Sequence, residues 1–131
     1  MRFMLFIHPP TQDSNWSPSP EDVATMERFN DELRRAGVLL DLAGLHPTSE
    51  GAVVRWNTGR PVVFDGPFGE AKEVVGGYWM IQAASKEEAV EWATRVPNGG
   101  DAWIEVRRVH EIEEFPPEVQ SVLSRDTDAG S

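Results

Sequence analysis

Two hydrophobic periods alternate along the chain, and their order lays out the fold. Residues 2–7 are a short, almost continuous apolar run, the pattern of a strand buried on both faces. A loop rich in Pro, Ser and Asn follows over residues 8–18, and then the period becomes helical. Val23, Met26, Phe29 (or Asn30), Leu33 and Ala36 share one face. Ser19 stands at the N-cap with Pro20 at the first helical position, Asp22 completes a capping-box spacing, and Gly37 marks the end. Residues 38–45 read as a second strand closed by His46-Pro47-Thr48. Residues 52–56 and 61–64 flank Asn57-Thr58-Gly59-Arg60, a hairpin signal. Residues 73–82 make another strand, and Ser85-Lys86-Glu87-Glu88 opens a second helix with Ala89, Trp92, Ala93 and Val96 inward and Pro97 as its stop. Residues 103–109 alternate as a last strand.

The order is therefore β-α-β, a hairpin insert, then β-α-β. This is the split βαβ, ferredoxin-like arrangement of an α+β fold. The domain is expected over residues 1–113 with the hairpin near 52–64. Residues 114–131, acidic and then rich in Ser, Asp and Gly, are expected to form a largely disordered C-terminal extension.

Right-handed crossovers place both helices on one face of the sheet. Yet residues 3–7 and 78–81 carry apolar side chains at odd and even positions alike, among them Phe3, Phe6, Tyr78 and Trp79. The face without helices would then be a large apolar patch, which soluble monomers avoid. A second copy packed about a two-fold axis covers it, and a homodimer is expected. The alternative cover is the segment around Phe115-Pro116-Pro117, although residues 110–131 hold few large apolar groups.

Composition narrows the partners. A net charge of −10 over 131 residues lacks the basic footprint that nucleic acid requires. The absence of cysteine excludes disulfides and thiolate chemistry. The N-terminal apolar run is too short for a signal peptide or a membrane span, so a cytoplasmic protein with no membrane association is expected.

The chemistry gathers around Asp65-Gly66-Pro67-Phe68, a rigid turn between two strands that sets a carboxylate at the mouth of the sheet. His46, held extended by Pro47, ends the second strand. If that strand and the turn open on one pocket, His46 and Asp65 make a base and its orienting carboxylate. The structural alternative bonds His46 to a backbone carbonyl and lets Asp65 cap its own turn. His8, at the end of the first strand, is the other candidate base and a candidate ligand contact. Lys72 and Arg107 are candidate anchors for an anionic group, and Trp79 for stacking on a flat one. Each has a structural alternative in cross-strand pairing or core packing. Gly76-Gly77 precedes no helix and cradles no phosphate; it leaves room for another backbone or a ligand. The histidines lack metal-ligand spacing, so no metal and no cofactor are expected.

Taken together, Asp65-Gly66-Pro67-Phe68, Glu70-x-Lys72-Glu73, Gly76-Gly77-Tyr78-Trp79, Ser85-x-x-Glu88-Ala89-x-x-Trp92 and Ile104-Glu105-Val106-Arg107 resemble the YCII-related, or DGPF, family. Gly44-Leu45-His46-Pro47 looks like a pattern of one branch of it. The resemblance implies a dimeric α+β barrel. Some relatives carry a His–Asp pair proposed as catalytic, and a few act as small-molecule lyases or dehalogenases. Others are encoded beside extracytoplasmic-function sigma factors. The expected function is a small-molecule-binding protein or cofactor-free, lyase-type acid–base enzyme acting on a compact metabolite. The alternative is a non-catalytic regulatory protein associated with such a sigma factor.

Overall fold

Ser19 caps the first helix as its spacing predicts. Its hydroxyl accepts from the Asp22 amide at 3.1 Å, and the Asp22 carboxylate accepts from the Ser19 amide at 3.4 Å. The helix, α1 (Pro20–Arg35), ends where the Val38 amide bonds the Leu33 carbonyl and the Gly37 amide bonds that of Arg34. This computed structural model describes residues 1–10, 18–69, 73–98 and 101–130, with only the main chain of 124–130.

Five further elements complete the split βαβ frame. They are β1 (Arg2–His8), β2 (Leu39–Gly44), β5 (Gly77–Gln82), α2 (Lys86–Thr94) and β6 (Trp103–Arg108). The strands form one sheet in the order β2-β5-β1-β6, with each adjacent pair antiparallel. The inserted hairpin, β3 (Ala52–Asn57) and β4 (Arg60–Asp65), is a separate two-stranded sheet. Its turn has φ of 51° at Thr58 and 79° at Gly59, the double positive φ of a two-residue type I′ turn, which Gly59 accepts without strain.

Alternation then sorts the side chains by face. Phe3 and Leu5 of β1 and Trp79 and Ile81 of β5 pack against Phe29 and Leu33 of α1 and Ala89 of α2; Ile104 and Val106 of β6 join them. The opposite face presents Met4, Phe6 and His8, flanked in register by Met80, Tyr78 and Trp103 and by Arg107 and Glu105. Met4, Phe6, Tyr78 and Met80 are half-buried there.

Two boundaries differ from the sequence reading. The fifth strand starts at Gly77 rather than residue 73, because the chain before it turns out of the ladder. Only Gly76 keeps strand-like bonds, from its amide to the Ile7 carbonyl and to its carbonyl from the Leu45 amide. The C-terminal segment, expected to lack regular structure, contains a helix, α3 (Pro117–Gly130). Pro117 and Glu118 supply the first-turn residues that favour a helix start.

Candidate functional site

Residues 46–51 and the turn at 65–69 are built against each other. Thr48, buried, donates its hydroxyl to the Phe68 carbonyl and accepts the Phe68 amide, both at 3.1 Å. The Gly66 amide bonds the Gly51 carbonyl at 2.9 Å. A β-carbon on Gly66 would fall 1.6 Å from the Thr48 carbonyl oxygen, so only glycine fits at this contact. Thr48 stood in the sequence only as a turn residue, since its partner lies 20 residues away.

Beside this junction opens a cavity of about 540 Å³. Leu45, Pro47, Phe68, Val74 and Val75 give it an apolar wall, and His46, Thr48, Glu50 and Glu73 give it polar groups. The His46 Nδ1 lies 2.8 Å from a Glu50 carboxylate oxygen, and the imidazole is 85% exposed. With Nδ1–H donated to Glu50, Nε2 keeps its lone pair, as a general base requires. His46 and the DGPF turn thus open on one cavity, but the carboxylate beside His46 is Glu50. Asp65 is exposed at the end of β4, and no hydrogen bond joins it to His46 among the described residues. The signal for Glu50 was local: it stands four residues after His46, across a single 3-10 turn at Thr48–Glu50.

The other candidate residues are placed separately. His8 is 4% exposed; its Nδ1 lies 3.0 Å from the Val74 carbonyl and its Nε2 2.9 Å from a Glu105 oxygen. Its ring stacks on Trp103 at 3.8 Å between centroids. The hydrogen bond from His8, seconded by Arg107 at 3.4 Å, holds the Glu105 carboxyl below the usual carboxylate range, against the opposing effect of partial burial. Arg107 is exposed on the sheet face opposite α1 and α2. Trp79 lies in the core, donating Nε1–H to Asn30 at 2.8 Å and meeting Phe29 edge-on. Lys72 lies outside the described residues. Gly77 admits another backbone: a β-carbon there would meet the Ala43 carbonyl oxygen of β2 at 2.8 Å. His110 is a surface residue near Glu114.

A profile of the YCII-related domain matches residues 1–113. The chain belongs to the YCII-related family. It is also 38% identical over 88 residues to the uncharacterized protein R00369 of Rhizobium meliloti (strain 1021), an alignment covering 65% of this chain and 70% of that protein. The sheet order of this YCII-related chain is that of the ferredoxin-like frame its motifs imply. No helix among its described residues is long and apolar enough to cross a membrane. Among those residues, no three His, Asp or Glu side chains cluster as a metal site would.

Proposed function

We propose that this YCII-related chain binds a compact small molecule in the cavity lined by residues of 45–51, by Phe68 and Gly69 and by residues 73–75, and that His46 serves there as a cofactor-free acid–base group. The observation that carries this reading is an apolar cavity with an imidazole–carboxylate pair at its wall. Glu50 takes the orienting role that the sequence suggests for Asp65. It fixes the imidazole tautomer, so the Nε2 lone pair is free to take a proton from an acidic C–H or O–H. The reaction class is a lyase-type elimination on a compact acid, phenol or enol-forming substrate: Nε2 removes a C–H proton as the bond from the adjacent carbon to its leaving group breaks, and the imidazolium returns that proton to the departing group.

The test is a thermal-shift screen of such compounds against wild type and His46→Ala. The imidazole is exposed, so the variant is expected to fold and melt as wild type does. A ligand at ten times its Kd raises stability by about 1.4 kcal/mol, or roughly 5 °C for a domain of this length. Wild type should show that shift and His46→Ala should lose most of it. Equal shifts in both proteins would remove His46 from the site, and no shift with any compound would leave the cavity without this role.

The homodimer belongs to the same reading. Met4, Phe6, Tyr78 and Met80 line the sheet face opposite the one packed on α1 and α2, which suits a two-fold partner. Light scattering should give twice the chain mass, and Phe6→Asp should weaken association by about 100-fold or more, as for a central interface residue. A monomeric wild type at micromolar concentration would refute the barrel.

A second reading, interaction without catalysis, draws on the hairpin. Trp56 is 70% exposed, and Val54, Val63 and Phe64 are exposed beside it. Exposed aromatics of this kind are common interface anchors. A regulator of this type, including one associated with a sigma factor, would tolerate His46→Ala and lose its partner on Trp56→Ala.

A further inference from the structure

We propose that His8 and Glu105 form a proton-dependent clamp on the Val74 wall of the cavity, which makes His8 a positioning residue for the pocket. Its consequence for binding rests on the small-molecule reading above; the clamp itself does not.

The proton count carries the inference. Both partners of the His8 ring are acceptors, the Val74 carbonyl at Nδ1 and the Glu105 carboxylate at Nε2. A neutral imidazole has one N–H and satisfies only one of them. The two bonds therefore need one more proton on the pair. With that proton on the ring, both nitrogens donate, Nδ1 to the Val74 carbonyl and Nε2 to the Glu105 carboxylate. When it is lost, either Nε2 turns a lone pair to a carboxylate or the tautomer changes and Val74 loses its donor.

The ring has little freedom to relieve this. It is buried and lies flat on Trp103, with 6° between the planes. Glu105 sits within β6, paired to Phe6 of β1. Val74 lies in the stretch between Glu73 and Gly77 that forms no strand, so it is the partner able to move. Val74 and its neighbours Glu73 and Val75 line the cavity, so its release changes the pocket's wall. Among the described residues, the charged and titratable groups around the contact are Glu105 and Arg107 from β6 and Glu73 beside Val74. On the same face of β5 stands Tyr78, whose hydroxyl is taken by Asp41 at 2.8 Å.

Acid sets one limit on the clamp. Glu105 has a depressed folded-state value, so its share of the clamp is present above the ordinary carboxylate range and is lost as pH falls through that depressed value.

Nitrogen-15 NMR on the unliganded full chain decides the matter. In wild type both ring nitrogens of His8 should be protonated in the clamped state, and the amide shifts of Val74, Val75 and Gly76 should move with the same midpoint as the ring. Glu105→Gln offers an amide that donates to a neutral Nε2, so Val74 should stay held and its step with the ring should vanish. His8→Phe keeps an aromatic ring on Trp103 and drops both bonds. Its Gly76 amide, bonded to Ile7 at 2.7 Å in the wild type, should lose protection about tenfold, the loss of one net hydrogen bond. Wall resonances that stay flat while the ring titrates, or a step that persists in Glu105→Gln, would overturn the clamp. A failed ligand screen would remove the pocket reading and leave this titration standing; a flat titration would do the reverse.

Discussion

Gly66→Ala is expected to destabilise the protein by about 3 kcal/mol, near the upper end for overpacked sites, and to lower Tm by roughly 12 °C. The new β-carbon would lie 1.6 Å from the Thr48 carbonyl oxygen and 2.6 Å from the carbonyl carbon. The atoms it meets are backbone and a β-carbon has no rotamer, so no side-chain rearrangement relieves the clash. The turn must lift away from residues 48–51, which breaks the bond from the Gly66 amide to Gly51 and strains the two between Thr48 and Phe68. Since Thr48, Gly51 and Phe68 also line the cavity, the variant should lose ligand-induced stabilisation along with its fold energy. Gly44→Ala is the control, because nothing lies within 4 Å of a β-carbon there and its effect should stay within about 0.5 kcal/mol. Urea unfolding of both variants checks the pair of values. If Gly66→Ala melts with wild type, the turn does not rest on Thr48.

Asn30→Ala is the second large effect, expected at about 2–3 kcal/mol. Asn30 is a polar residue on the buried face of α1, and its carbonyl oxygen accepts the Trp79 indole N–H at 2.8 Å. Removing it leaves that N–H unpaired inside the core, and an unsatisfied buried donor costs about 1–3 kcal/mol before the small cavity is added. Trp79→Phe removes the donor instead and leaves a larger void. With both changes no buried donor is orphaned, so the double variant should be more stable than the two single losses sum to by about 1–2 kcal/mol. Chemical denaturation of the four proteins measures that coupling. Simple additivity would mean the bond contributes nothing beyond packing.

These two sites also show where the sequence was readable. In the sequence, Asn30 stands only as the alternative to Phe29 on the apolar face of α1. Its partner was not visible, because Trp79 lies 49 residues away on β5. The DGPF turn was visible as a turn. That it closes on Thr48, with no room for a side chain at position 66, depends on how the hairpin insert returns to the frame.

The candidate site divides in the same way. His46 was singled out from its place at a strand end before Pro47, and it does face the cavity. Asp65 was the attractive partner because turn and strand were expected to meet. The 3-10 turn at Thr48–Glu50 instead brings Glu50 to the imidazole at 2.8 Å. His8 was read as one candidate base among three histidines. Its burial between Glu105, Trp103 and Val74 followed from register, since β6 sets Trp103 opposite His8 and Glu105 opposite Phe6.

The sequence by itself determined what short windows can encode. The capping box at Ser19, the type I′ turn at Thr58-Gly59, the periods of the strands and helices, and through their order the split βαβ frame all rest on interactions within a few residues of chain. Tertiary structure alone decided the pairings that span the molecule: Thr48 on Phe68, Asn30 on Trp79, His8 between Val74 and Glu105. The physical reason is that a hydrogen bond requires its two groups to meet within about 3 Å at a suitable angle. Over a few residues local backbone geometry fixes that meeting. Over 20, 49 or 97 residues it is fixed only by the strand register and by where each loop comes to rest.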